Sequence, residues 1–232
     1  MNEVMPAALP VYAPEEFQRI VDSSVCVMDH NLSELDGFHW TRFGGVSFGE
    51  IDVFRNEGFG VRRGSRRAHH IRQDSVRDIH VSMPRDALIS LRQNGTTVRL
   101  EPGTFAFSTT AIPYDFEVAP LGNGDHYSMI HACVASDSLR QRIPYIDACF
   151  HKRLELRPGA TRIMLSMFEA ALANGGALSE ARMQSFSGSL IDAIANAILD
   201  MQEFALLGNV AISPRQRVRD SAVAFIQRNL AD

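Results

Sequence analysis

Between residues 40 and 135, turn-forming residues recur roughly every ten positions, and the stretches between them alternate apolar and polar side chains. That period of two puts successive side chains on opposite faces of an extended chain. In Arg77 to Met83, Ile79, Val81 and Met83 fall on one face, and Asp78, His80 and Ser82 on the other. Asn94-Gly95, between Asp86–Arg92 and Thr97–Leu100, specifies a two-residue hairpin, because both central positions need positive φ. Pro102-Gly103 and Pro120 to Asp125 mark further turns. Phe105 and Phe107 share a face, and Pro113 precedes a strand over Tyr114 to Val118. His126 to Val134 aligns Tyr127, Met129, His131 and Cys133. An earlier strand, Val46 to Arg55, is expected to end at Asn56-Glu57-Gly58. Strands joined by hairpins are antiparallel, so a barrel or sandwich is expected and a parallel doubly wound sheet is not.

After residue 158 the period changes to that of a helix. Gly159 to Asn174 ends at Gly175-Gly176, and Ser179 to Leu207 reads as a long helix followed by Gly208. Met183, Leu190, Ile194, Ile198 and Met201 belong to an apolar stripe on that helix, widened by Ile191. So wide a stripe predicts burial on two sides, one against its own domain and one against a partner subunit. Those five residues are the expected dimerisation surface. A short helix is expected over Ala13 to Val21, and a last one from Ser213-Pro214 to Asn229.

Composition narrows the function. The 232 residues are 45% hydrophobic, enough for a sizeable core, and carry a net charge of −4. A net-acidic chain binds nucleic acid poorly over its whole surface, so DNA contact requires a local patch or further sequence. No run approaches the roughly 20 apolar residues of a membrane span, and a cytoplasmic location is expected. Cys26, Cys133 and Cys149 are odd in number and widely spaced, which supports neither a disulfide framework nor a thiolate zinc motif. Lys152 is the single lysine among 23 basic residues. The arginine excess fits either bidentate anion recognition or a codon bias, and the scatter of the arginines favours the bias.

Signatures of catalysis are missing: there is no GxSxG, P-loop, HExxH or GxGxxG. A metal site on a barrel strand needs two histidines at alternate positions, so that both face inward. No HxH occurs, and His69 and His70 are adjacent, so no metal and no cofactor are expected, although His80 and His131 are able to meet in space. Arg62, Arg63, Arg66, Arg67, His69, His70 and Arg72 form one basic cluster, which reads as an anion site or as a solvated hairpin.

The run Leu91 to Gly95, then Val98 to Gly103, Phe105 to Thr109 and Pro113-Tyr114, resembles a stretch of the AraC/XylS-type bacterial transcription regulators. Thr104 stands where those proteins carry an acidic residue after Pro-Gly. Arg67 and Ile71 match an upstream Arg-Thr-Pro-x-x-Ile segment, with Ala68 and His69 in place of Thr-Pro. Ser138, Leu139 and Arg142, followed by Ile143-Pro144, match a Pro-Arg-x-x-Leu-x-x-Arg stretch. Residues 214–218 and 224–232 resemble the first helix of the family's C-terminal DNA-binding domain, whose helix-turn-helix units do not follow here. In order and spacing the resemblance runs from about residue 15 to 230.

The resemblance implies an α+β chain: a cupin-like antiparallel β-barrel of jelly-roll type (residues 1–150), a helical dimerisation segment (151–212) and the first helix of a truncated helix-turn-helix domain (213–232). It implies a homodimer, a small-molecule effector held inside the barrel, and DNA contact only through the missing domain. The expected effector site is Trp40, Arg67, His80, Tyr114 and His131, with Arg67 facing a carboxylate of an aromatic or aliphatic acid, and Trp40 and Tyr114 stacking on its body. No catalytic residue is expected. The rival reading is a metal-dependent cupin enzyme acting on a small organic acid, which leaves the helices and the tail unexplained.

Overall fold

The computed structural model describes residues 10–31 and 41–208, apart from 75, 77 and 123. Trp40 and the helix expected over 213–229 lie outside the described residues. The chain opens with β1 (Val11–Tyr12), α1 (Pro14–Ser24), β2 (Asp29–Asn31), β3 (Thr41–Ser47), β4 (Ile51–Phe59), β5 (Arg62–Arg66) and α2 (Ala68–Gln73). There follow β6 (Asp78–Pro84), β7 (Ala87–Gln93), β8 (Thr96–Leu100), β9 (Thr104–Thr109), β10 (Tyr114–Pro120) and β11 (His126–Ala135). It continues through α3 (Ser136–Arg142), β12 (Leu154–Glu155), α4 (Ala160–Asn174) and α5 (Glu180–Gly208).

The strands form two sheets, in the orders β1-β3-β4-β11-β6-β9-β12 and β2-β5-β10-β7-β8. The eight strands from β4 to β11 alternate between the sheets as β4-β11-β6-β9 and β5-β10-β7-β8, all paired antiparallel. That interleaving is a jelly roll, whose sheets hydrogen-bond as two separate layers rather than as one closed cylinder. The β7–β8 hairpin turns at Asn94 and Gly95, with φ of 50° and 76°, as a type I′ turn requires.

One expected turn is absent. Asn56-Glu57-Gly58 continues β4, and the break falls earlier, at Phe48 to Glu50, with Gly49 at φ 89°. Asn56 faces the interior, and Gly58 lies under Tyr127, whose hydroxyl would be 2.4 Å from any added Cβ. These turn-forming residue types therefore serve the interior of a strand.

Period two divides the work of the larger sheet. One face of its strands, including Ile51, Val53, Ile79, Val81, Phe107, Ile130 and Val134, packs against α3, α4 and α5. The other face looks across to the smaller sheet and, with α1, encloses the second interior. The helices and the large sheet share one core, which runs continuously across residue 150. Gly159 precedes α4, whose first amide, on Ala160, donates to Asp200 Oδ2 of α5 at 3.3 Å.

The stripe on α5 is largely internal. Leu190, Ile194 and Ile198 are at most 1% exposed, and Met183 and Met201 pack partly buried on the same core. Both sides of the stripe are covered within the chain, by the sheet on one side and by α3 and α4 on the other. Fully burying each of those aliphatic side chains contributes roughly 1.5–3 kcal/mol. The expected dimer surface therefore does not include Leu190, Ile194 or Ile198, whose contacts stabilise the protomer itself.

Candidate functional site: a cavity inside the jelly roll

Between the two sheets, beneath α1, lies a cavity of about 70 Å³, counted as the space open to the centre of a water-sized sphere. Apolar residues form most of its wall: Val21, Val25 and Met28 from α1 and the segment after it, Phe43 from β3, Ile89 and Leu91 from β7, and Phe116 and Val118 from β10. Into this wall the inward positions of β4, β6, β9 and β11 insert Asn56, His80, Ser82, Ser108, Met129 and His131. Arg62 enters from β5 and Tyr114 from β10.

Arg62 decides the electrostatics. It is 8% exposed, with its guanidinium carbon 4.4 Å from the Phe17 ring centre and 5.2 Å from that of Phe116. Its Nη2 lies 3.4 Å from His30 Nδ1, and its Nε has no hydrogen-bond partner among the described residues. No carboxylate pairs with it there. Burial pulls its pKa below the ordinary arginine value, and the Tyr127 and Tyr114 phenols partly offset this. An arginine remains charged in proteins, so a buried cation faces the cavity without an anion.

The neighbouring polar groups are similarly unsatisfied. Both side-chain atoms of Asn56 and Nε2 of His80 are buried with no partner among the described residues. Burial, then His131 and Arg66, holds the His80 pKa well below the usual histidine value. Burial, then the Arg62 charge, pushes His131 down to about 4. Both imidazoles are therefore neutral at pH 7, and each offers one donor and one acceptor. Their ring centres are 4.5 Å apart, and Ser82 Oγ lies 3.3 Å from His131 Nδ1. The Tyr114 hydroxyl lies 3.6 Å from Cys26 Sγ.

Of the expected effector residues, the fold brings together His80, Tyr114 and His131. Arg67 is elsewhere: its side chain is 52% exposed and pairs with Asp115 Oδ1 at 2.8 Å, in an open groove on the outer face of the smaller sheet. The cause is the alternation of β5. Arg62 and Arg66 point inward and are buried, whereas Arg63 points outward, half-exposed, to pair with Glu117. Arg66 is neutralised by a bidentate pair with Asp74, at 2.9 and 2.5 Å. That leaves Arg62 as the buried arginine without a carboxylate, a distinction that the run of basic residues could not make. Asn56, read from sequence as part of a turn, was the other omission; its signal would have been an asparagine on the inward period of a strand.

Among the described residues, two groups of side chains have metal-ligand character. His80, His131 and Cys133 each offer a donor atom within 4.8 Å of the other two, as do Asp29, His69 and His70. In the second group the Arg67 amide donates to His70 Nδ1 at 3.0 Å. That bond places the proton of a neutral His70 on Nε2, 3.3 Å from Asp29 Oδ1, where an ordinary hydrogen bond satisfies both groups. In the first group the donors come from adjacent strands, so no HxH is needed to assemble them. All three cysteines are free thiols and buried. No helix among the described residues is long and apolar enough to cross a membrane.

No curated protein matches the sequence. Among solved structures, the AraC-like transcriptional activator CuxR superposes with a TM-score of 0.65 at 12% identity, over 83% of this chain and 70% of its own. An HTH_3 family transcriptional regulator from Vibrio cholerae gives 0.33 at 7% identity, over 40% of this chain and 50% of its own. KdgF from a Halomonas species gives 0.31 at 10% identity, over 48% and 90%. The family model described as AraC-binding-like domain matches residues 17–200, from α1 through the buried part of α5, and the chain therefore belongs to that family.

Proposed function

We propose that the chain is the effector-sensing part of a transcription regulator, and that its effector is a small organic acid with an apolar body. The observation that carries this reading is Arg62: a buried guanidinium, without a carboxylate among the described residues, on the wall of an apolar cavity. An acid completes it. The carboxylate accepts from Arg62, and the body fills the space between Leu91, Phe116 and Val118. Asn56, His80 and His131 supply further donors and acceptors, and the neutral state of both histidines spares the acid a competing cation.

The same ligand touches α1 and both sheets, so it favours whichever arrangement of these layers fits it better. The larger sheet passes that preference to α4 and α5, which cover its outer face. Two copies of the chain are taken to associate through this helical layer. Among the described residues, Ile163, Phe186 and Leu199 are large apolar side chains that it leaves exposed. DNA is then read by a helix-turn-helix domain whose first helix residues 214–232 resemble, and dimer geometry sets the spacing of the two half-sites.

A thermal-shift screen of aromatic and short aliphatic acids, each with its amide and a neutral isostere, tests the reading. An acid that stabilises the protein while its amide does not is the expected result. Equal shifts from all three would remove Arg62 as the anchor, and no shift from any acid would refute the sensing role.

A further inference from the structure

The inner face of the larger sheet gathers a second kind of chemistry. On β11, Cys133 stands opposite His80 of β6 and opposite Asp52 of β4, and His131 follows two residues away on the same face, opposite Ser82. One donor atom from each of His80, His131 and Cys133 lies within 4.8 Å of the other two. Donors on a tetrahedral zinc with ordinary bond lengths are about 3.3–3.6 Å apart, a gap that side-chain rotation closes. His80 and Cys133 are 2% and 3% exposed, and His80 Nε2 is buried with no partner among the described residues. The Ser82 hydroxyl lies within hydrogen-bond reach of His131 Nδ1, which leaves Nε2 of that ring for an ion.

We propose that His80, His131 and Cys133 form a three-donor site for one zinc-class divalent ion on the inner wall of the jelly roll, with the fourth position facing the cavity. Two imidazoles and a sulfur are a borderline-soft set that selects zinc or cobalt over magnesium or calcium. Asp52 Oδ1, on the strand position opposite Cys133, is buried with no partner among the described residues. On binding, the sulfur–metal bond forms as the thiol proton passes to solvent. The site shares His80 and His131 with the proposed effector cavity, but metal binding is read without any acid present, so failure of one reading is distinguishable from failure of the other.

The test is a titration of the reduced, metal-stripped full chain with Co²⁺. One equivalent should bind, with a thiolate-to-cobalt charge-transfer band and the intense visible bands of tetrahedral cobalt, and Zn²⁺ should displace it. Cys133→Ser should abolish the charge-transfer band, and His80→Gln should weaken binding roughly 100-fold. Cys149→Ser should leave both unchanged. Circular dichroism establishes that each variant folds, and His131→Gln, expected to behave as His80→Gln, replaces any variant that does not. The proposal is overturned by an absence of saturable binding, by a charge-transfer band that survives in Cys133→Ser, or by its loss in Cys149→Ser.

Discussion

Replacing Arg62 with methionine separates the cavity's role from its stability. The substitution keeps an unbranched apolar stem and removes the guanidinium. In the unliganded protein it loses two cation–π contacts, with Phe17 and Phe116, of roughly 0.5–2 kcal/mol each. It also relieves a buried charge whose Nε has no partner among the described residues, worth about 1–3 kcal/mol for the unmet donor alone. These terms oppose one another at similar size, so stability should stay within about 1 kcal/mol, or roughly 2–4 °C in melting temperature. Binding has no such compensation. Truncating one partner of a buried, hydrogen-bonded charge pair costs about 2–5 kcal/mol, or roughly 30- to 4,000-fold in Kd. An acid at 100 times its wild-type Kd stabilises the wild type by about 2.7 kcal/mol, a shift of roughly 5–11 °C. At the same concentration Arg62→Met should retain less than about 0.9 kcal/mol, a shift of at most about 4 °C. Differential scanning fluorimetry with and without the acid reads both quantities. Arg67→Ala is the control: its ion pair is half-exposed, worth about 0–1 kcal/mol, and the ligand shift should survive. A shift that persists in Arg62→Met and vanishes in Arg67→Ala would refute the assignment.

Ile198→Asp should abolish cooperative unfolding, because it places a carboxylate at a position with no exposure, whereas Leu199→Asp, at 42% exposure, should fold normally; near-ultraviolet circular dichroism distinguishes the two. Leu199→Asp should also weaken self-association, measured by sedimentation, if the helical layer is the partner surface. Gly95→Ala should destabilise by about 1–2 kcal/mol through its backbone alone, since Gly95 has φ 76° and open space around an added Cβ; a denaturant midpoint equal to wild type would contradict this. Asp78, at about 6, keeps its proton in the folded chain at a pH where the unfolded chain has lost it, so its buried charge costs stability above that pH and not well below it. Asp78→Asn should therefore gain stability relative to wild type at pH 8 and lose the gain as pH falls through 6 towards 4; a difference in melting temperature that does not vary with pH would overturn this.

Local physics was enough to place most of the strands. Asn94-Gly95 demanded a hairpin because few other pairs accept two positive φ values, and Ile79, Val81 and Met83 shared a face because a strand alternates. The switch to helical period after residue 158 was legible for the same reason, and the order of weak motifs pointed to the family. What a sequence cannot hold is which face looks where. The inward face of the larger sheet reads as polar in Asp78, His80 and Ser82 and as mixed in Tyr127, Met129, His131 and Cys133, yet all of these are buried except Asp78 and His131, which are half-buried, because the smaller sheet closes over it. The α5 stripe told of burial on two sides but not whose atoms lay there, and the answer was the chain's own sheet and helices. Among the arginines, composition and spacing made Arg62, Arg66 and Arg67 equivalent. Only tertiary contacts distinguish them: Asp74 and Asp115 stand beside Arg66 and Arg67, whereas Arg62 is buried on the cavity wall with no carboxylate among the described residues.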